Sequence, residues 1–184
     1  MSSEGFPIGP RLRVSVVDDD GRPLRAPALA AWLAEVAPAR ARGAVTIALV
    51  SDRRVRALNR EYRGVDRATD VLSFPAEPSA AGRRSGATDV AVAGPQPGAA
   101  APHRARYATA FLGDIVIARG VAARQAREAG HAERIEWRVL SLHGLLHLLG
   151  YDHEQDGGDM RRLEARLRRK GGLHAGLIER EAAR

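Results

Sequence analysis

Apolar and polar residues change their spacing along this 184-residue chain in a way that predicts both strands and helices. Residues 11–17, Arg-Leu-Arg-Val-Ser-Val-Val, alternate, and place Leu12, Val14 and Val16 on one face of a half-buried strand. Pro27 opens a helical stretch in which Leu29, Trp32, Leu33 and Val36 form one apolar stripe, ended by Pro38. The run 44–50 is apolar and β-branched, the pattern of a strand buried on both faces. Ser51 is placed to cap a following helix whose Val55, Leu58 and Tyr62 recur every three to four residues. Residues 71–74, stopped by Pro75, and 112–117 predict two more strands. Beyond them the spacing is helical over 119–129, 132–149 and 157–169. The last of these is expected to bury Met160, Leu163 and Leu167 and to expose Arg161, Arg162, Arg166, Arg168 and Arg169.

Strands and helices mixed around one core predict a single α/β or α+β domain of about four strands over 11–170. One stretch breaks the pattern. Of the 25 residues from Pro78 to Pro102, 18 are Ala, Gly, Pro or Ser, and no apolar period survives. Connections longer than about 12–15 residues are uncommon in compact domains, so 77–108 is expected to be a disordered insertion. Residues 1–10 and 171–184 are expected to be flexible termini.

Charge narrows the partner. Basic residues number 29 against 22 acidic, for a net charge of +7, and Lys170 is the one lysine. Guanidinium groups bind phosphate oxygens through paired hydrogen bonds, so an arginine-laden chain suits a polyanion, although skewed base composition inflates Ala, Arg and Gly together. The start, MSSEGFPIGP, lacks the basic flank and apolar stretch of a secretory signal. No run approaches the roughly 18–20 apolar residues of a membrane span. With no cysteine, disulfides and thiolate metal ligands are excluded, and a cytoplasmic protein is expected.

The chemistry concentrates in His143-Gly-Leu-Leu-His147-Leu-Leu-Gly-Tyr-Asp-His153. His143 and His147 stand one helical turn apart and project from one face. Gly150 is suited to end the helix in the left-handed conformation and turn His153 back toward the same point. A lone histidine on an apolar helix is ordinarily a core residue; three in this spacing predict the open tripod of a catalytic zinc site with one position left for water. His103, His131 and His174 lack such company and are expected at the surface. In zinc peptidase helices the first histidine is followed by a glutamate base. Here that position is Gly144, which disfavours peptidase chemistry and is expected to open space for a bulky substrate.

The histidine block resembles the H-G-x-L-H-L-x-G-Y-D-H signature of the bacterial YbeY family, metal-dependent single-strand endoribonucleases of ribosomal RNA maturation. Two further blocks are similar to that family, residues 58–75 (Leu-Asn-Arg-Glu-Tyr-Arg-Gly-Val-Asp-Arg-Ala-Thr-Asp-Val-Leu-Ser-Phe-Pro) and 112–117 (Leu-Gly-Asp-Ile-Val-Ile). The resemblance implies that His143, His147 and His153 hold one Zn2+ per chain and that Arg63 is needed for activity near it. It also implies an α+β fold, a mixed sheet of about four strands flanked by helices, similar to the catalytic domain of zinc peptidases. Asp152, Asp70 and Asp114 remain open as residues supporting the metal, the structure or the substrate. The implied substrate is single-stranded RNA, with maturation of the 3' end of 16S rRNA and ribosome quality control as the task. The implied partners are the small ribosomal subunit and assembly factors, with neither membrane contact nor DNA specificity. Two other classes fit the residues: a zinc-containing ribosome-assembly factor without catalysis, and another metal-dependent hydrolase such as a peptidase.

Overall fold

In the computed structural model, the structure describes residues 11–76, 110–152 and 156–173; the expected insertion at 77–108 and terminus at 1–10 lie outside them. Four strands form one sheet: β1 (Leu12–Val17), β2 (Gly43–Val50), β3 (Val71–Pro75) and β4 (Phe111–Ala118). Their order is β1-β2-β4-β3. β1, β2 and β4 run parallel, and β3 pairs antiparallel with β4 at one edge. β2 is central, and both of its faces are buried as its β-branched run predicts. The helices are α1 (Pro27–Val36), α2 (Asp52–Arg63), α3 (Arg119–Glu128), α4 (Glu133–Leu148) and α5 (Asp159–Lys170).

Strand alternation divides the core. Leu12, Val45, Ile47, Ile115 and Ile117 pack beneath α1, α4 and α5, through Leu33, Val36, Leu142, Leu146, Met160 and Leu167. On the other face Leu72, Val116 and Val50 meet Val55 and Leu58 of α2. Pro27 starts α1. Ser51 caps α2, its Oγ accepting the Arg54 N–H at 3.4 Å. The Asp52 carboxylate accepts the Val121 N–H at 3.1 Å, so the start of α2 also caps α3. Among the described residues no helix is long and apolar enough to cross a membrane.

Four expectations need correction. Helix α5 begins at Asp159 rather than at 157, because Gly157 and Gly158 take positive φ of 60° and 88° and cannot continue a right-handed helix. The Asp156 carboxylate caps it instead, accepting from the Met160 N–H at 2.8 Å. Arg168 is buried, not exposed, because it lies four residues after Glu164 on the inward face of α5. The ordered domain also continues past 170. Leu173 is buried in the core, and the Trp32 Nε1–H donates to the Gly171 carbonyl at 2.8 Å. Gly172 at φ 73° permits that turn. Finally, His131 is half-buried, its Nε2 3.1 Å from the fully buried carboxylate of Glu136. His103 and His174 lie outside the described residues.

Candidate metal centre

Helix α4 lies over β3 and β4. What permits this is Gly144. A Cβ there would stand 2.7 Å from Ile115 Cγ2 and 3.0 Å from Ser73 Oγ. The Ser73 hydroxyl donates to the Gly144 carbonyl at 3.2 Å. The space that the glycine was expected to open for substrate is therefore filled by the sheet. Gly144→Ala is expected to lower stability by up to about 2 kcal/mol: overpacking against a buried β-branched side chain costs about 1–3 kcal/mol, and improved helix propensity returns about 1 kcal/mol. Urea denaturation measures the sum, and a gain in stability would restore the substrate-space reading.

The turn after α4 is built as the sequence predicts. Gly150 takes φ 81°. Its N–H bonds to the His147 carbonyl at 2.9 Å, and the Tyr151 N–H reaches back to the Leu146 carbonyl at 3.1 Å. These are the two bonds of a Schellman motif. The Arg40 guanidinium stacks 3.9 Å from the Tyr151 ring centroid and donates to the Leu149 carbonyl at 2.8 Å, which anchors the turned chain.

His143 and His147 converge as their spacing requires. Their Nε2 atoms are 3.0 Å apart, with rings edge to face at 75°. His143 is buried and His147 half-buried. On the far side of the His143 ring, Nδ1 lies 3.2 Å from Oε2 of Glu164, a carboxylate only 1% exposed. This pair suits a zinc ion. Two imidazole nitrogens bound at about 2.0–2.1 Å in a tetrahedral set lie about 3.3–3.4 Å apart, a few tenths from the spacing here. Among the described residues no group of three or more His, Cys, Asp or Glu forms a complete cation site. The third expected ligand, His153, lies outside them.

The other expected residues are spread more widely. Arg63 is the exposed last residue of α2, whose core contacts lie on the sheet face opposite α4. Its way to the histidines is therefore around the edge strand β3. Next to it, Tyr62 packs edge-on against Phe74 of β3, ring centroids 5.0 Å apart. The segment beyond Arg63 is tied back by Arg56, which holds both carboxylate oxygens of Asp66 at 2.8 Å. This hydrogen bonding, aided by the Arg56 charge, holds the Asp66 carboxyl below the usual carboxylate range. The tie is accordingly complete above the ordinary carboxylate value and is lost as pH falls through the depressed one. Carboxyl NMR across that range is expected to show Asp66 titrating below the ordinary aspartate value.

The Asp70 carboxylate accepts from the Val71 N–H and from Gln125 Nε2, both at 2.8 Å. It thus joins the start of β3 to α3, beyond the end of the sheet that Ile117 pairs. Asp114 is buried on the face of β4 that carries Val116, away from α4. Asp152 is half-buried, its carbonyl accepting from the Asp156 N–H at 3.1 Å. Neither Asp70 nor Asp114 is brought to the histidine pair. The residue that sequence reasoning missed is Glu164. Its signal was its place between Leu163 and Leu167, on the stripe that buries Met160.

Fold and site together define an α+β domain with a helix-borne histidine pair braced by a buried carboxylate. Comparison with known proteins then gives the family. The model of the family described as "Endoribonuclease YbeY" matches residues 24–171. An "Endoribonuclease YbeY" from Solibacter usitatus is 42% identical over 158 residues, covering 85% of this chain and 86% of that protein. Another, from Anaeromyxobacter sp., is 45% identical over 147 residues, 78% of this chain and 62% of the relative's length. A solution structure of TM1509 from Thermotoga maritima is 23% identical with a TM-score of 0.45, covering 86% of this chain and 90% of that one. The chain belongs to the YbeY endoribonuclease family.

Proposed function

We propose that this protein is a zinc-dependent endoribonuclease that cuts single-stranded RNA, acting in the cytoplasm on ribosomal RNA of the small subunit alongside assembly factors. Family membership supports the nuclease role. The observation that carries the metal reading is the convergence of the His143 and His147 Nε2 atoms at 3.0 Å near the C-terminal end of α4. His143 and His147, with His153, would hold the ion. Zinc so bound would supply Lewis acidity, lowering the pKa of water toward neutrality and polarising a phosphoryl oxygen.

The chain's own residues do the rest. His143 and His147 offer their converging Nε2 atoms, and the sheet beneath Gly144 keeps the helix that carries them from shifting. Arg63 supplies a forked cation for the charge that develops on phosphorus. A flexible single strand can bring its backbone into such a site, whereas a duplex resists the deformation. Aromatic residues are 4% of the chain, so stacking surfaces are scarce and phosphate contacts dominate affinity. Binding is expected to weaken steeply as salt rises. Arg63→Ala is expected to reduce kcat by about 10²–10³-fold, the cost of losing one preorganised donor, as read in single-turnover cleavage of a short RNA.

The deciding experiment measures zinc content together with cleavage of single-stranded RNA, duplex RNA and peptides, before and after chelation and zinc restoration. One zinc per chain is expected, with cleavage of single strands alone, lost on chelation and regained with the ion. Full RNA cleavage by the stripped protein would overturn the metal reading.

A further inference from the structure

We infer that Glu164 is a positioning residue: it accepts the proton on Nδ1 of His143 and thereby keeps Nε2 of that ring bare and aimed at His147. The inference deepens the zinc reading above and rests on it for the ion that the bare nitrogen would serve.

Glu164 occupies an expensive place. It is 1% exposed on α5, among Met160, Leu163 and Leu167, where leucine would pack without the desolvation cost of a carboxylate. Packing alone does not explain it. Its Oε2 lies 3.2 Å from Nδ1 of His143, itself 5% exposed, and comes from a helix 21 residues farther along the chain.

The contacts constrain where the protons sit. A neutral imidazole carries one proton, on one nitrogen or the other. A proton on Nε2 of His143 would leave a lone pair on Nδ1 facing a carboxylate oxygen, acceptor against acceptor. A proton on Nδ1 gives that contact a donor. Nε2 is then an acceptor toward His147 Nε2, 3.0 Å away. The contacts run in one sense, His147 Nε2–H to His143 Nε2 and His143 Nδ1–H to Glu164, each with one donor and one acceptor. A cation held by the two Nε2 atoms would take the place of the His147 proton without any change at Nδ1 of His143. Carboxylates behind ligating histidines fix ring tautomer and orientation in this manner, and losing one typically weakens metal binding about 10–100-fold.

Nitrogen-15 NMR of the full-length, chelator-stripped protein tests the assignment without relying on cleavage. His143 is identified by the signals lost in His143→Gln. A proton on Nδ1 of the neutral ring is expected; a neutral ring protonated at Nε2 would overturn the proposal. Zinc affinity, read by competition with a chromophoric chelator, is expected to fall about 10–100-fold in Glu164→Leu. Glu164→Gln keeps an acceptor oxygen without the charge and is expected to fall between the two and to retain the Nδ1–H ring. Wild-type zinc affinity in a folded Glu164→Leu protein would reduce Glu164 to packing. If that variant does not fold, the wild-type spectrum and Glu164→Gln decide. A wild-type protein that binds no zinc would sink the metal reading, while the tautomer of its His143 would still uphold or overturn the role of Glu164.

Discussion

Alanine at His147 is expected to remove zinc binding and RNA cleavage together while leaving the fold nearly as stable as before. The ring is half-buried at the end of α4, and its neighbour on the metal side is the other histidine. Its removal opens little core, so the change in stability is expected to stay within about 1 kcal/mol. Alanine at His143 is expected to abolish the same activity at a greater structural cost. It strips a buried ring and deprives the Glu164 carboxylate of its Nδ1–H partner, a loss of about 1–3 kcal/mol. In a domain of this size that lowers Tm by a few degrees. Cleavage in both variants is expected to fall by more than the roughly 10²–10³-fold that losing one preorganised donor costs. Metal analysis, thermal unfolding and cleavage of a labelled single-stranded RNA, done on both variants, separate the functional loss from the structural one. Undiminished cleavage in His147→Ala would remove the histidine pair from the mechanism.

Much of this architecture is legible along the chain because it depends on local spacing. The α1 stripe from Leu29 to Val36, the doubly buried run of β2 and the left-handed stop at Gly150 are consequences of residues within one or two turns of each other. So is the meeting of His143 with His147. The α+β mixture of about four strands is confirmed in the described residues. What escaped depends on contacts between distant segments. Nothing near Gly144 announces that Ser73, 71 residues earlier, and Ile115 need the room, so the glycine suggested space for substrate when it serves helix-to-sheet contact. Glu164 and Arg168 are charged letters on an apolar stripe, and a pattern read from apolar letters alone passes over them. Their burial follows from how α5 docks against α4 and α1. The antiparallel placement of β3 is likewise a matter of topology, which no periodicity encodes.

Among stability changes, Gly113→Ala is expected to be the most severe, and its position ties the sheet edge to the metal centre. Gly113 pairs with Pro75 of β3 and with Val45 of β2, beside the register shift at Ala44 and Val45. Its φ is 142°, a conformation that side-chain-bearing residues rarely adopt. A Cβ would stand 2.3 Å from the Phe74 carbonyl oxygen and 2.9 Å from Leu148 Cδ2. The first neighbour is backbone held in the β3–β4 ladder and cannot swing aside. Backbone strain of about 1–3 kcal/mol adds to overpacking of about 1–3 kcal/mol. The total of about 2–6 kcal/mol is a large share of the 5–15 kcal/mol that holds a typical domain together. Because Leu148 directly follows His147, displacing it also moves the end of α4 on which the histidine pair depends. Gly113→Ala is therefore expected to unfold at markedly lower denaturant and, where still folded, to bind zinc more weakly than Gly144→Ala does. Denaturant midpoints and chelator competition on the two variants check the order. A Gly113→Ala protein as stable as the parent would show that β3 does not hold this edge of the site in place.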